Sequence, residues 1–142
     1  MGLWLIYALL SALAAALVAI FGKIGLQNID SNAATAVRSV IMAAFMLGVV
    51  VVQGKWTELG TVWGHRKALT FVALSGVAGA VSWMFYFLAL KYGKVAQVGP
   101  VDKLSVVIAA LLAFLFLGEK ITLLNGIGIG LITVGVILTA LK

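Results

Sequence analysis

LWLIYALLSALAAALVAIF, residues 3–21, contains no charged side chain and no proline. A helix rises about 1.5 Å per residue, so this run spans roughly 28 Å, close to the bilayer hydrocarbon thickness of about 30 Å. Four more apolar runs follow, at about residues 33–52, 68–90, 96–117 and 121–141. They predict an all-α polytopic membrane protein with five transmembrane helices. A membrane barrel would alternate apolar and polar residues over strands of about 10 residues. These runs are longer and apolar on every side. Helices also keep their backbone hydrogen bonds internal where water is absent.

Composition agrees. Of 142 residues, 64% are apolar and 10% charged, with a mean hydropathy of +1.22. Soluble domains carry about 25% charged residues, so this chain has too few to cover a surface facing water. The disordered class fails for the same reason. The formal charge is +6, but Lys and Arg lie in ones and twos through the connections. That spread suits anionic headgroups and topology control, and lacks the clustering of a nucleic-acid-binding face. There is no cysteine and only one histidine, so no disulfide framework, thiolate site, metal site or cofactor is expected. The small residues Ala14 to Ala16 resemble a signal-peptidase site, but the apolar run continues past them and cleavage is not expected.

The connections are short. Lys23 follows the first run, and residues 25–32 form a polar loop. Residues 53–67 (QGKWTELGTVWGHRK) are the longest polar stretch, and Trp56 and Trp63 suit the headgroup level. A short interfacial helix is expected there, with His65 beside Arg66 in its loop. Residues 118–120 make the last turn.

The fourth run carries the most local chemistry. Residues 104–117 alone are too short to cross, so the span begins near residue 96 and carries Asp102 and Lys103 below the membrane surface. Gly99 and Pro100 lie just before them. Proline lacks a donor and crowds the preceding turn, while glycine lets the backbone unwind. One reading is a hinge beside a buried charged pair, as in the discontinuous helices of transporters. The other is an ordinary helix with Pro100 in its first turn and Asp102 as a cap.

Two more charges are candidates for the substrate path or for charge pairing. Lys23 either snorkels to the interface or faces the path. Arg38 lies two turns into the second run, where arginine is costly unless it faces protein or water, and Asp102 is a plausible partner. In the third run, Trp83 and Tyr86 either line a cavity or pack as ordinary aromatics. Gly76 and Gly79 there, and Gly126 and Gly130 in the fifth run, are spaced for close helix packing. The glycines of the fifth run do not form a dinucleotide fingerprint, since the third glycine and the preceding strand are missing.

Five spans place the two ends of the chain on opposite sides. One side receives Lys55, Arg66, Lys67 and Lys120; the other receives Lys23, Arg38, Lys91, Lys94, Lys103 and Lys142. The excess of two is small for a positive-inside bias. It favours a C-terminus inside and leaves room for both orientations. An antiparallel homodimer would then reproduce the inverted repeats of larger transporters.

Residues 83–120 (WMFYFLALKYGKVAQVGPVDKLSVVIAALLAFLFLGEK) resemble the C-terminal part of an EamA-type domain of the drug/metabolite transporter superfamily. Phe21-Gly22-Lys23 and Ala36-Val37-Arg38 agree, and the length and layout resemble the small five-helix bacterial and archaeal branch. The resemblance covers essentially the whole chain, 1–142, as a single EamA-like transmembrane domain. It implies a half-transporter unit that dimerises in a bacterial or archaeal plasma membrane and moves a drug or metabolite by alternating access. It also implies that Lys23, Trp83, Tyr86 and Asp102 lie near the path. The small multidrug-resistance relatives rely on a glutamate in their first helix, and the first run here has no acidic residue. Its partners would be the bilayer, a small-molecule substrate and a second copy. A non-transporting membrane subunit of a larger complex is the alternative. An intramembrane enzyme is not expected, since no paired acid, nucleophile or metal cluster accompanies Asp102.

Overall fold

In a computed structural model, which describes residues 2–141, the chain is helical throughout its apolar runs. The helices are α1 (Leu3–Gly25), α2 (Ser31–Val52), α3 (Trp56–Gly64), α4 (Arg66–Tyr92), α5 (Val95–Asp102), α6 (Leu104–Leu112) and α7 (Leu123–Ala140), with a π turn over Ala113–Leu117. Five stretches are long and apolar enough to cross a bilayer: α1, α2, α4, α7 and the composite Val95–Leu117. Each boundary falls within a few residues of its expected position. At 27 residues α4 is about 40 Å long, more than the hydrocarbon layer requires. Its basic ends, Arg66 with Lys67 and Lys91, extend it toward the headgroups on both sides.

Local chemistry sets the helix ends. Asp30 caps α2, its carboxylate accepting from the N–H of Asn32 at 3.0 Å and of Ala33 at 2.9 Å. Thr122 caps α7 by accepting from the N–H of Asn125 at 3.3 Å. The short helix expected in residues 53–67 is present as α3, with Trp56 and Trp63 both exposed. Gly118 ends the fourth span at φ +67°, a left-handed conformation that glycine adopts without strain. The N–H groups of Gly118 and Glu119 both point to the carbonyl of Ala113, which closes the π turn.

The chain divides into two compact units: residues up to Lys23 together with those from Tyr92 onward, and Ile24–Lys91. In the first, α7 runs beside α5 and α6, and Ala19 and Val136 are buried. In the second, the buried side chains are Leu26, Ser31, Thr35, Phe87 and Leu90. Elsewhere leucine, valine and phenylalanine face outward along every span, as at Leu13, Phe45, Phe71 and Leu131. In water such a surface would aggregate; in lipid it is the solvated surface.

Several hydroxyl side chains inside the spans bond along their own helices. The hydroxyls of Thr35 and Ser39 donate to the carbonyls of Ser31 and Thr35 at 2.7 and 2.9 Å, and that of Thr133 to Ile129 at 2.9 Å. No buried side-chain polar atom among the described residues lacks a partner.

Candidate functional site

In the unit Ile24–Lys91, Trp83, Tyr86, Phe87 and Leu90 fall at i, i+3, i+4 and i+7 of α4 and so share one face. Phe87 and Leu90 on this stripe are buried. The three rings pack on one another: Trp83 and Tyr86 edge to face at 5.6 Å, Trp83 and Phe87 tilted at 5.7 Å, Tyr86 and Phe87 edge to face at 5.9 Å. On α2, Ser31, Thr35 and Arg38 form a stripe with the same spacing. The Arg38 guanidinium carbon lies 3.6 Å from the centre of the Trp83 ring and 5.1 Å from that of Phe87. Arg38 thus leans on an aromatic face instead of reaching for the headgroups.

Magnitudes show what this contact accomplishes. An arginine near the middle of a span costs about 2.5–3.5 kcal/mol on insertion scales. A cation–π contact contributes about 0.5–2 kcal/mol. The rings offset part of that cost. Within this unit the carboxylates are Asp30, which caps α2, and Glu58, in the first turn of α3 beyond the far end of α2.

In the other unit, the fourth span is interrupted. Pro100 is the sixth residue of α5, not its first, and Asp102 is the last residue of α5, not a cap. The reading with Pro100 in the opening turn is therefore not the one adopted. The break itself falls at Lys103, where the N–H of Lys103 donates to Pro100 at 2.9 Å and that of Val106 to Lys103 at 3.0 Å. These i to i+3 bonds tighten the chain between α5 and α6. Asp102 and Lys103 meet there, with Nζ to Oδ2 at 3.1 Å. At such partial exposure, adjacent residues gain little stability from pairing in water. Within a span, the pair makes the break electrically neutral.

Lys23, in the last turn of α1, donates from Nζ to the carbonyl of Gly93 at 2.8 Å. It joins the end of α1 to the loop before α5. We expect Lys23→Met to lower stability by about 1 kcal/mol, the net value of one such hydrogen bond. Unfolding by titration with a denaturing detergent checks this.

The candidate residues therefore form two groups. Arg38, Trp83 and Tyr86 come together in one unit; Asp102 with Lys103, and Lys23 with Gly93, lie in the other. Arg38 and Asp102, expected to pair, belong to different units, and each has a partner in its own. Phe87 was absent from the expected set, although its spacing of four from Trp83 would have marked it. A shallow cavity of about 720 Å³ is lined by Gly64, His65, Arg66, Lys67, Ala68 and Phe71 at the α3–α4 junction. Arg66 and Lys67 make its lining basic. No group of three metal-binding side chains occurs among the described residues.

Five candidate spans, one of them interrupted beside a charged pair, define a class: helical multi-pass membrane proteins. The chain belongs to the EamA-like transporter family, which it matches over residues 2–141. It is 43% identical over 137 residues, 96% of each chain, to "Uncharacterized transporter in cobO 3'region" from Sinorhizobium sp. Over 77 residues, 54% of this chain and 56% of the relative, it is 36% identical to "Uncharacterized protein MJ1333.1" of Methanocaldococcus jannaschii. No solved structure matches it. The family is one of small-solute transporters and not of enzymes.

Proposed function

We propose that this protein carries a small solute, a drug or metabolite, across a bacterial or archaeal plasma membrane by alternating access. It works as a homodimer in which the whole chain is one EamA-like half. The observation that carries the reading is the break at Lys103, which sets an ion pair inside the fourth span of a chain in a transporter family. A helix interrupted within a membrane gives up backbone bonds and is retained where the freed groups or the bend serve a passing solute. Gly99 and Pro100 supply the bend. Asp102 with Lys103, and as a separate group Arg38 with Trp83 and Tyr86, are the side chains assigned to the solute's path, while Lys23 steadies the α4–α5 loop.

The exposed glycine faces support a second copy. A Cβ built on Gly76, Gly79 or Gly130 meets nothing within 4 Å, and one on Gly126 meets only the Ile121 side chain at 3.9 Å. Close packing within one chain does not use these positions. Gly130→Leu is expected to leave helicity unchanged while shifting the detergent-solubilised protein from dimer to monomer in light scattering. An unchanged mass would remove Gly130 from the interface. Cysteine labelling at each end of the chain tests antiparallel assembly, since strictly one-sided labelling excludes dual insertion.

The transport reading is tested by a thermal-shift screen of the purified protein against metabolites, followed by uptake of each hit into proteoliposomes. Hits that enter vesicles saturably, and lose their shift in Asp102→Asn, are the expected result. Hits that bind but never cross would overturn transport.

A further inference from the structure

The unit Ile24–Lys91 assigns a chemical class to the solute. This step rests on the transport reading above. We propose that Arg38, seated on Trp83, receives an oxyanion of the solute, so that the cargo is an organic anion with a carboxylate or phosphate on an apolar body.

Arg38 is the eighth residue of α2, about 10 Å along the helix from Ser31. Trp83 is nine residues before the end of α4, about 13 Å from Tyr92. These two helix ends flank the same side of the membrane by connectivity, so the two residues share one depth. The ring covers one flat face of the guanidinium at 3.6 Å. Stacking on a face leaves the in-plane N–H groups pointing away from the ring. Among the described residues, those N–H groups donate no hydrogen bond to any oxygen and Arg38 forms no ion pair. The hydroxyls nearest along α2, Thr35 and Ser39, already donate to their own helix. A planar fork of donors, fixed by a ring, at membrane depth, fits the two oxygens of a carboxylate or phosphate.

The surroundings fit the rest of such a molecule. Trp83 and Tyr86 are only half-buried, while Phe87 behind them is 4% exposed. The cluster therefore has a closed back and an open front. A hydrated inorganic ion would gain nothing from these rings, whereas an apolar body carrying an oxyanion meets both parts at once. A cationic solute would meet a like charge in Arg38.

The test uses the full chain, purified in neutral maltoside micelles, with radiolabelled benzoate as probe in a scintillation-proximity assay. Saturable binding is expected, displaced by phenyl phosphate but not by benzyl alcohol or benzylamine. Arg38→Gln should weaken it about tenfold or more, equivalent to about 1.4 kcal/mol. Arg38→Lys keeps the charge and loses the fork, and its affinity should fall between the two. Circular dichroism and elution volume establish that each variant is folded; should Arg38→Gln fail, Arg38→Lys carries the comparison. Wild-type affinity in the folded variants overturns the proposal. So does competition by benzylamine, or the absence of saturable binding by either oxyanion at millimolar concentration. Stoichiometric phosphatidylglycerol that abolishes binding gives the fork to a lipid headgroup and overturns it as a solute receptor.

Transport is read separately by counterflow in proteoliposomes. Benzoate that binds through Arg38 but shows no counterflow overturns transport and leaves the oxyanion receptor standing. Counterflow of a neutral or cationic solute, unchanged in Arg38→Lys, keeps transport and overturns the receptor.

Discussion

Pro100→Ala is expected to stabilise the fold by up to about 3 kcal/mol and to slow transport at the same time. Alanine exceeds proline by about that amount in a helix interior, and Pro100 is interior, five residues past the start of α5. The substitution restores an N–H that can donate one turn back, to Ala96, and removes the ring that crowds that turn. A straighter α5 would run more smoothly into α6, and the tight bonds at Lys103 would relax toward ordinary helical spacing. Stability and turnover should therefore move in opposite directions, as they do where a strained segment serves function. The checks are detergent-denaturation midpoints and initial uptake rates on the same preparations. If Pro100 were only a passive resident of an ordinary helix, the midpoint would rise with no loss of rate.

Trp83→Ala is expected to cost about 2–3 kcal/mol. The lower end of the range known for large aromatic truncations applies, because burial against lipid lacks the hydrophobic term that raises the cost in soluble cores. The loss has two parts: packing with Tyr86 and Phe87, and support of the Arg38 charge. A double-mutant cycle with Arg38→Met and Trp83→Leu separates them. A coupling energy of about 0.5–2 kcal/mol is expected for a partly desolvated cation on an indole. A coupling near zero would mean that the guanidinium merely rests beside the ring. Trp83→Phe should retain more of the stability than Trp83→Leu, since a smaller ring face remains.

Hydropathy located the five spans because every one of them must be apolar all round, and length then fixes each to within a turn. Helix ends followed from side chains that show in the sequence, such as Asp30 and Thr122. The site was legible as a set of residues and less so as a set of contacts. Arg38 was matched with Asp102 on charge, whereas its observed neighbour is the Trp83 ring; charge signs are visible in a sequence, and the direction of an aromatic face is not. A hinge is expected at Gly99 and Pro100, and the break in the helix falls at Lys103. A proline disturbs the turn before it, but where the chain recovers depends on which later N–H groups find acceptors. The π turn over Ala113–Leu117 left no trace in a run of apolar residues.

The hydrogen bond from Lys23 to Gly93 has a consequence in time. Its partners are separated by 70 residues, so at about 5–20 residues per second the ribosome needs roughly 4 to 14 s to deliver the acceptor. Throughout that interval this bond does not exist, and Lys23 acts on the insertion machinery as a flanking charge. The first helix is therefore complete before the contact that later holds its end has been synthesised. A charge that later serves the folded protein thus first takes part in deciding which way round that protein is built.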